Sequence, residues 1–393
     1  MSRAVRIAVA AAVVFMPMTA RADEPAWRGF IEMEASSFPR SSVNPSAATL
    51  EQAVKFRPEV LWKANERWSF GMHGFARQDS RNAERDTARF DELWVQYAER
   101  AWDVRVGEQV ITWGSVESFS PLDVVNPRDN LEDVVEPAKI GTPAARLRLR
   151  SDDDDLSFYW LPVYQPARYP GTHSYYGSTG AVPAAGPSGG WAGNQAAARW
   201  FHSGDGYDVG LSVLDAFERN PKYDYDATSQ AFAGRRYRSR RVGFEATRVI
   251  DELLLKSEIV ARTTHEEGNR RALLYVLGAE YTLTSVWRYA DLTAFAEYLG
   301  ASSNVRATEL MQNDVFVALR LTFNDRLKQR LQVGTFRDLD HASGHLDRIE
   351  YTASPVPGLE AGLRRTTTRD YFPGVVHRET DTSVWRLFVR YNF

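Results

Sequence analysis

The chain has no cysteine. Neither a disulfide scaffold nor thiolate metal or redox chemistry is open to it, and a c-type haem attachment site is excluded as well. Beyond its first 22 residues it also lacks any run of about 18 apolar residues, the least a helix needs to cross a bilayer. Histidine is sparse, with seven in 393 residues, and only His341 and His345 lie close together. They fall in a loop beside Gly344 rather than on a helix, as a zinc protease would require. No Gly-x-Ser-x-Gly occurs, and no nucleophile set of the kind barrel hydrolases carry is visible, so no catalytic residue, metal or cofactor is expected. An excess of base is missing too: 48 Lys and Arg stand against 51 Asp and Glu, which excludes a basic nucleic-acid binder. No linker separates two compositions.

What is present begins with a leader. Arg3 and Arg6 precede an apolar run from Ile7 to Met16, and Ala20-Arg21-Ala22 supplies a small-x-small cleavage site. Residues 1–22 read as a signal peptide cut before Asp23, so the chain is exported. Removing Arg3, Arg6 and Arg21 makes the mature protein, residues 23–393, more acidic than the formal −3 of the whole.

The end of the chain points to the class. Trp385, Leu387, Val389, Tyr391 and Phe393 share one face, and Arg386, Arg390 and Asn392 the other, with Phe388 as the exception. That period of two suits a strand with lipid on one side and water on the other. Similar rows recur throughout: Val54 to Trp62, Trp102 to Val106, Val242 to Ala246, Leu273 to Tyr281 and Val315 to Phe323. The segments that carry these rows run to about ten residues, enough for a tilted strand to cross the hydrocarbon layer. Trp62, Trp68, Trp102, Tyr281, Tyr298 and Tyr391 lie near segment ends, where interfacial aromatic girdles form.

Connection lengths alternate. Short polar turns are expected at 64–66, 99–100, 152–155, 203–206, 250–252, 324–328 and 355–358. Longer connections are expected at 37–49, 80–86, 114–143, 163–194, 217–235, 300–311 and 370–381. The pattern predicts an all-β fold, a single transmembrane antiparallel up-and-down barrel of about 18 strands, with 16 as the alternative. Short turns belong to the periplasmic side and long loops to the outside. The Asp152 to Asp155 run lacks the glycine and spaced glutamate of a calcium loop and reads as a solvated turn.

The third long connection, 114–143, is the candidate for function. It carries Glu117, Asp123, Asp129, Glu132, Asp133 and Glu136 against only Arg128 and Lys139. Its apolar residues (Leu122, Val124, Val125, Val134, Val135) predict that it packs on the inner wall rather than waving in solvent. In the following strand Arg146, Arg148 and Arg150 alternate with Ala145, Leu147 and Leu149. Turning the arginines outward would cost roughly 2–4 kcal/mol each near the bilayer midplane, so they are expected to face the lumen. An acidic loop opposite an arginine row predicts a charged constriction. The competing reading is that the arginines pair with lumen carboxylates and merely stiffen the wall. Arg105, Gln109 and Trp113 are weaker lumen candidates on the preceding strand.

The segment 90–150 carries a recognisable pattern. Gly107-Glu108-Gln109 is followed by Trp113-Gly114, then Asp123, then Asn126-Pro127-Arg128-Asp129. This resembles a porin-like proteobacterial outer-membrane family commonly described as a domain of unknown function. The terminal alternating strand, ending in Tyr391 and Phe393, resembles the assembly signal of outer-membrane barrels. The resemblance implies a barrel in the outer membrane of a Gram-negative bacterium, with lipid, lipopolysaccharide and the barrel assembly machinery as partners. It implies transport without naming a solute.

These readings converge on an outer-membrane, porin-like channel for passive passage of small polar or charged solutes through a charged constriction, compatible with a homo-oligomer. The alternative is a barrel sleeve for an export or periplasmic partner system, with a barrel enzyme the weakest reading.

Overall fold

The computed structural model describes residues 24–38, 48–133, 135–170, 174–175, 189–220, 222–226, 231–265, 270–303, 312–341, 343–370 and 382–393. The leader read at 1–22, with its cleavage site, lies outside the described residues.

Eighteen strands form one sheet. The first five are β1 (Ala26–Ser37), β2 (Leu50–Lys63), β3 (Trp68–Asp79), β4 (Thr87–Ala98) and β5 (Trp102–Gln109). Two short strands, β6 (Arg128–Asp129) and β7 (Ala138–Lys139), pair with each other inside the third long connection. The wall resumes with β8 (Thr142–Arg150), β9 (Asp154–Tyr164), β10 (Gly190–Gly204) and β11 (Tyr207–Phe217). A separate hairpin, β12 (Lys222–Asp226) and β13 (Ala231–Arg235), follows. The wall continues through β14 (Arg238–Ile250), β15 (Leu253–Thr264), β16 (Arg271–Trp287), β17 (Ala290–Ala301) and β18 (Asn313–Thr322). It ends with β19 (Arg330–Asp338), β20 (His345–Val356), β21 (Leu359–Arg369) and β22 (Thr382–Asn392).

Every wall strand is antiparallel to the next, and β22 pairs with β1 from Phe30↔Asn392 to Ser37↔Trp385, so the sheet closes. Closure leaves no edge of unpaired N–H and C=O groups, which in hydrocarbon would cost several kcal/mol each. The start of β1 and the residue after β22 seal the seam: Gly29 and Phe393 exchange backbone hydrogen bonds of 3.0 Å in both directions.

Outward rows are apolar, as period two requires. Leu147 and Leu149 are exposed on the outer surface, as are Leu273, Leu277, Tyr281, Val317, Leu319, Leu387, Val389 and Tyr391. Phe388 breaks the alternation because it turns inward, buried, onto Gly362 of β21. A Cβ on Gly362 would lie 2.3 Å from the Phe388 ring, so the missing side chain makes room for the aromatic one. Arg390 covers that ring and Phe30 in turn.

Among the described strands, eight connections are short, at 64–67, 99–101, 151–153, 205–206, 251–252, 288–289, 323–329 and 357–358. The other nine, at 38–49, 80–86, 110–141, 165–189, 218–237, 265–270, 302–312, 339–344 and 370–381, lie at the opposite end. The expected set therefore lacked one turn and two connections of the other end. Turn 288–289 escaped because it has no Gly, Pro, Asn or Asp; Arg288 itself takes the left-handed conformation, at φ 56°. The turn near the aspartate run is 151–153, and Asp154 already belongs to β9, where it accepts from Trp200 Nε1 at 2.9 Å. The third connection is 110–141 rather than 114–143, since Thr142 and Pro143 pair with Gln109 and Glu108.

Candidate functional site: the inward third loop

Connection 110–141 folds into the bore. Two apolar surfaces hold it. Ile111, Trp113, Leu122 and Val125 pack on inward residues of the wall, among them Leu161, Leu214, Val260 and Leu274. Further along, Val116, Phe119 and Val135 pack on Val276, Phe295, Phe316 and Phe336. Burying an aliphatic side chain contributes about 1.5–3 kcal/mol, which offsets part of the conformational entropy the loop gives up on docking. The seat for Leu122 is Gly243, whose Cβ would lie 2.2 Å from Leu122 Cδ2. Val134 lies outside the described residues.

The loop holds its own shape through the residues of the pattern read above. Asn126 is buried and fully used: its Oδ1 accepts from the N–H of Ile111 at 2.7 Å, and its Nδ2 donates to the carbonyls of Gln109 (2.9 Å) and Ile140 (2.8 Å). One amide thus ties the outgoing limb to the returning one. Gln109 is buried and donates to the carbonyl of Ala144 at 2.8 Å. Trp113 is buried against Tyr159. Asp123 pairs with Arg128 (2.5 Å) and Lys139 (2.7 Å), both inside the loop. Asp129, 1 % exposed, takes Arg89 at 2.6 Å and Arg168 at 3.0 Å.

The wall grips the start of the loop with carboxylates. Glu258 of β15 accepts from the N–H groups of Ser115 (2.7 Å) and Val116 (3.1 Å) and from Ser120 Oγ at 2.5 Å. Glu297 of β17 accepts from the N–H groups of Glu117 (2.7 Å) and Ser118 (2.9 Å). Glu245 of β14 accepts from Gly114 N–H at 3.2 Å and from Arg199 at 2.7 Å. Glu245 and Glu258 are cross-strand partners. Like charges in that position repel unless donors are supplied, and the loop backbone supplies them. Gly114 has φ +89° and no room for a side chain, since a Cβ would lie 2.5 Å from Glu258 Oε1.

The acidic tip meets base on the other side. Asp133 accepts from Arg386 at 2.7 Å and Arg364 at 3.2 Å, and Glu136 pairs with Arg348. Arg364 and Arg386 are also cross-strand partners, a like-charge pair of the opposite sign. Glu132 reaches Lys55 at 3.2 Å, and Glu117 reaches Lys256 at 3.2 Å. Burial alone would raise the carboxyl of Asp133, but Arg386, Arg364 and Arg348 together hold it well below the usual carboxylate range. Burial opposes Lys55, Arg77 and Arg89 in the same way at Glu132, whose carboxyl is also lowered. At Lys139 burial prevails over Asp123, and the ammonium is lowered.

Arg146, Arg148 and Arg150 are not brought against the loop. Arg146 and Arg148 converge at 2.7 Å on Asp103 of the neighbouring strand, with Arg150 at 3.7 Å. Arg105 lies over the Trp94 ring, 3.7 Å from its centroid, and bonds Gln96. The basic partners of the loop carboxylates from outside it are instead Lys55, Arg89, Arg168, Lys256, Arg320, Arg348, Arg364 and Arg386, and the glutamate clamp was not anticipated at all. Its only trace in the sequence is that Glu245, Glu258 and Glu297 fall at inward positions of alternating strands.

Other long connections lock onto this one. Arg85 donates to the carbonyls of Leu131 (2.9 Å) and Glu132 (3.2 Å). Asn130 N–H donates to the Arg168 carbonyl at 3.0 Å, and Arg219 Nε to that of Val125 at 2.9 Å.

A closed antiparallel barrel with apolar outward rows, a charged interior and a loop seated in its bore is the architecture of a transmembrane β-barrel protein of the porin-like type. The chain belongs to the family described as protein of unknown function (DUF1302), whose profile matches residues 31–272. No curated protein matches the chain. Solved structures similar to it include engineered variants of the porin of Rhodopseudomonas blastica. One has 12 % identity and a TM-score of 0.48, covering 94 % of this chain and 100 % of that chain. A triple mutant of the same porin has 12 % identity and a TM-score of 0.47, with the same coverage.

Proposed function

We propose that the protein is an outer-membrane channel for passive passage of small charged solutes, with its bore shaped by the third loop. The observation that carries this reading is the loop itself, fixed inside the barrel by wall carboxylates at one end and wall arginines at the other. Such a contact set sets width and field, as charged constrictions do in selective pores. Exposure separates the charges that face water from those that hold structure. Asp103, Asp129 and Glu258 are buried and belong to the framework, whereas the side chains of Glu136 (60 % exposed), Glu117 (37 %) and Arg150 (33 %) reach solvent. The water-facing charges are the ones we assign to selectivity, including Arg148 beside Arg150.

The test is recording from the purified mature protein in a planar bilayer under a salt gradient. Stepwise conductance is expected. Replacing Glu117 and Glu136 by Gln should shift the reversal potential toward anions, and replacing Arg148 and Arg150 by Gln should shift it toward cations. Both shifts should shrink at about 1 M salt, where the Debye length is near 3 Å. A correctly folded barrel that never conducts overturns the channel reading.

A further inference from the structure

The three arginines that receive the loop tip are arranged like a receptor for a dianion. Register places Arg364 beside Arg386, and Glu350 beside Arg364 on the other flank. Arg348 donates to Glu350 at 2.9 Å, and Arg364 bonds the same carboxylate. Arg386 has a more distant carboxylate, Glu34, at 3.7 Å. Glu350 is thus shared by Arg348, Arg364 and, at 3.9 Å, Arg330, while Glu34 is shared with Lys55, Arg77 and Arg85. Among the described residues the wall offers the three arginines only these shared carboxylates, and Asp133 and Glu136 add two more from the loop.

These two carboxylates come from a loop, three residues apart, and they differ in how firmly they are held. Asp133 is covered, and its Oδ1 is tied by the N–H groups of Val135 (2.9 Å) and Glu136 (3.1 Å). Glu136 is 60 % exposed at its side chain, so its pair with Arg348 is open to solvent and to screening by salt. A solute approaching from water therefore displaces Glu136 first, since Asp133 is covered and held by two backbone N–H groups as well as by Arg364 and Arg386. Guanidinium forks match carboxylate oxygens in plane and spacing, which favours carboxylates over spherical anions.

We propose that Arg348, Arg364 and Arg386 form an anion-binding station in the bore, that its ligands are compact dicarboxylates, and that Asp133 and Glu136 occupy it as built-in competitors. The station rests on the channel reading for its purpose but binds whether or not the barrel conducts. Binding and conduction are therefore measured separately.

The experiment uses the folded full-length mature barrel in detergent, titrated calorimetrically with succinate, acetate, inorganic phosphate and chloride. Succinate should bind more tightly than acetate or chloride. The double variant Asp133→Asn, Glu136→Gln, which removes the competitors, should bind succinate about tenfold more tightly, the scale of a hydrogen bond to a charged group. Arg364→Gln should abolish the heat of binding. Should that variant fail to show heat-modifiable mobility, Arg348→Gln and Arg364→Lys replace it, each expected to weaken succinate binding at least severalfold. Unchanged succinate affinity in the double variant, or binding that survives Arg364→Gln in a folded barrel, overturns the station. Phosphate binding as tightly as succinate overturns the ligand class. Silence in bilayers accompanied by the predicted binding heats would defeat the channel reading alone.

Discussion

At the scale of single residues, the bore is governed by which carboxylates keep their charge. Glu132 and Asp133 sit in the loop with their carboxyls lowered, Glu132 facing Lys55, Arg77 and Arg89, and Asp133 facing Arg348, Arg364 and Arg386. In an undocked loop both would titrate near their ordinary values of about 4. A group whose docked pKa lies below its undocked one stabilises docking fully above the undocked value. It loses that contribution as pH falls toward the docked value. The contribution of these two carboxylates to loop docking should therefore be constant from neutrality to about pH 5 and weaken steadily below about pH 4. Cleavage of residues 110–141 by an acid-active protease, followed against pH, measures this. In Asp133→Asn the acid-dependent part should be visibly smaller; an identical profile in that variant would show that Asp133 does not couple docking to protonation.

Single elements show what could be read from sequence and what could not. β22 was legible as a strand with its lipid face assigned, and its exception, Phe388, is resolved only by Gly362 on the neighbour. The closing role of that strand yields a prediction: Leu387, outward and 53 % exposed, should not tolerate Asp, which would sit in hydrocarbon. The cost is a few kcal/mol, somewhat less than for Arg at the same depth. Deleting Phe393 removes the backbone pair with Gly29 and the ring contact with Phe56, 6.3 Å between centroids. Both changes should lower the folded fraction in heat-modifiability gels while leaving export intact, and normal folding of both would remove the closing strand from its assigned role. The loop was legible as an inward element from its apolar residues, but its partners were not. Asp133 finds Arg386, 253 residues away, whereas Arg146 and Arg148 find Asp103 on the next strand. Alternation tells which face a side chain takes, and only register tells which neighbour it meets.

The whole molecule is asymmetric from end to end and from side to side. Short turns gather at one end with the start of β1 and the end of β22, so that end should be periplasmic. A peptide tag inserted at turn 357–358 should be reached by antibody only after the outer membrane is opened, and a tag within 165–189 should be reached on intact cells. Labelling of the first on intact cells would reverse the orientation. Across the bore, the acidic pair Glu245 and Glu258 and the basic pair Arg364 and Arg386 stand on β14–β15 and β21–β22, seven steps apart from β14 to β21 in a ring of eighteen. Each pair is uncomfortable alone, and the same loop relieves both.

That arrangement also sets an order of events. The loop spans residues 110–141; Lys55, Arg85 and Arg89, which also hold it, come earlier in the chain, but both of its main grips come later: Glu245, Glu258 and Glu297, then Arg348, Arg364 and Arg386. Seating therefore requires strands that have not yet been threaded when the loop itself arrives. Glu258 and Arg386 hold their places across the bore only once β22 has met β1. A sheet left open at that seam could not grip both ends of the loop, so a seated loop is a record that the barrel has been completed.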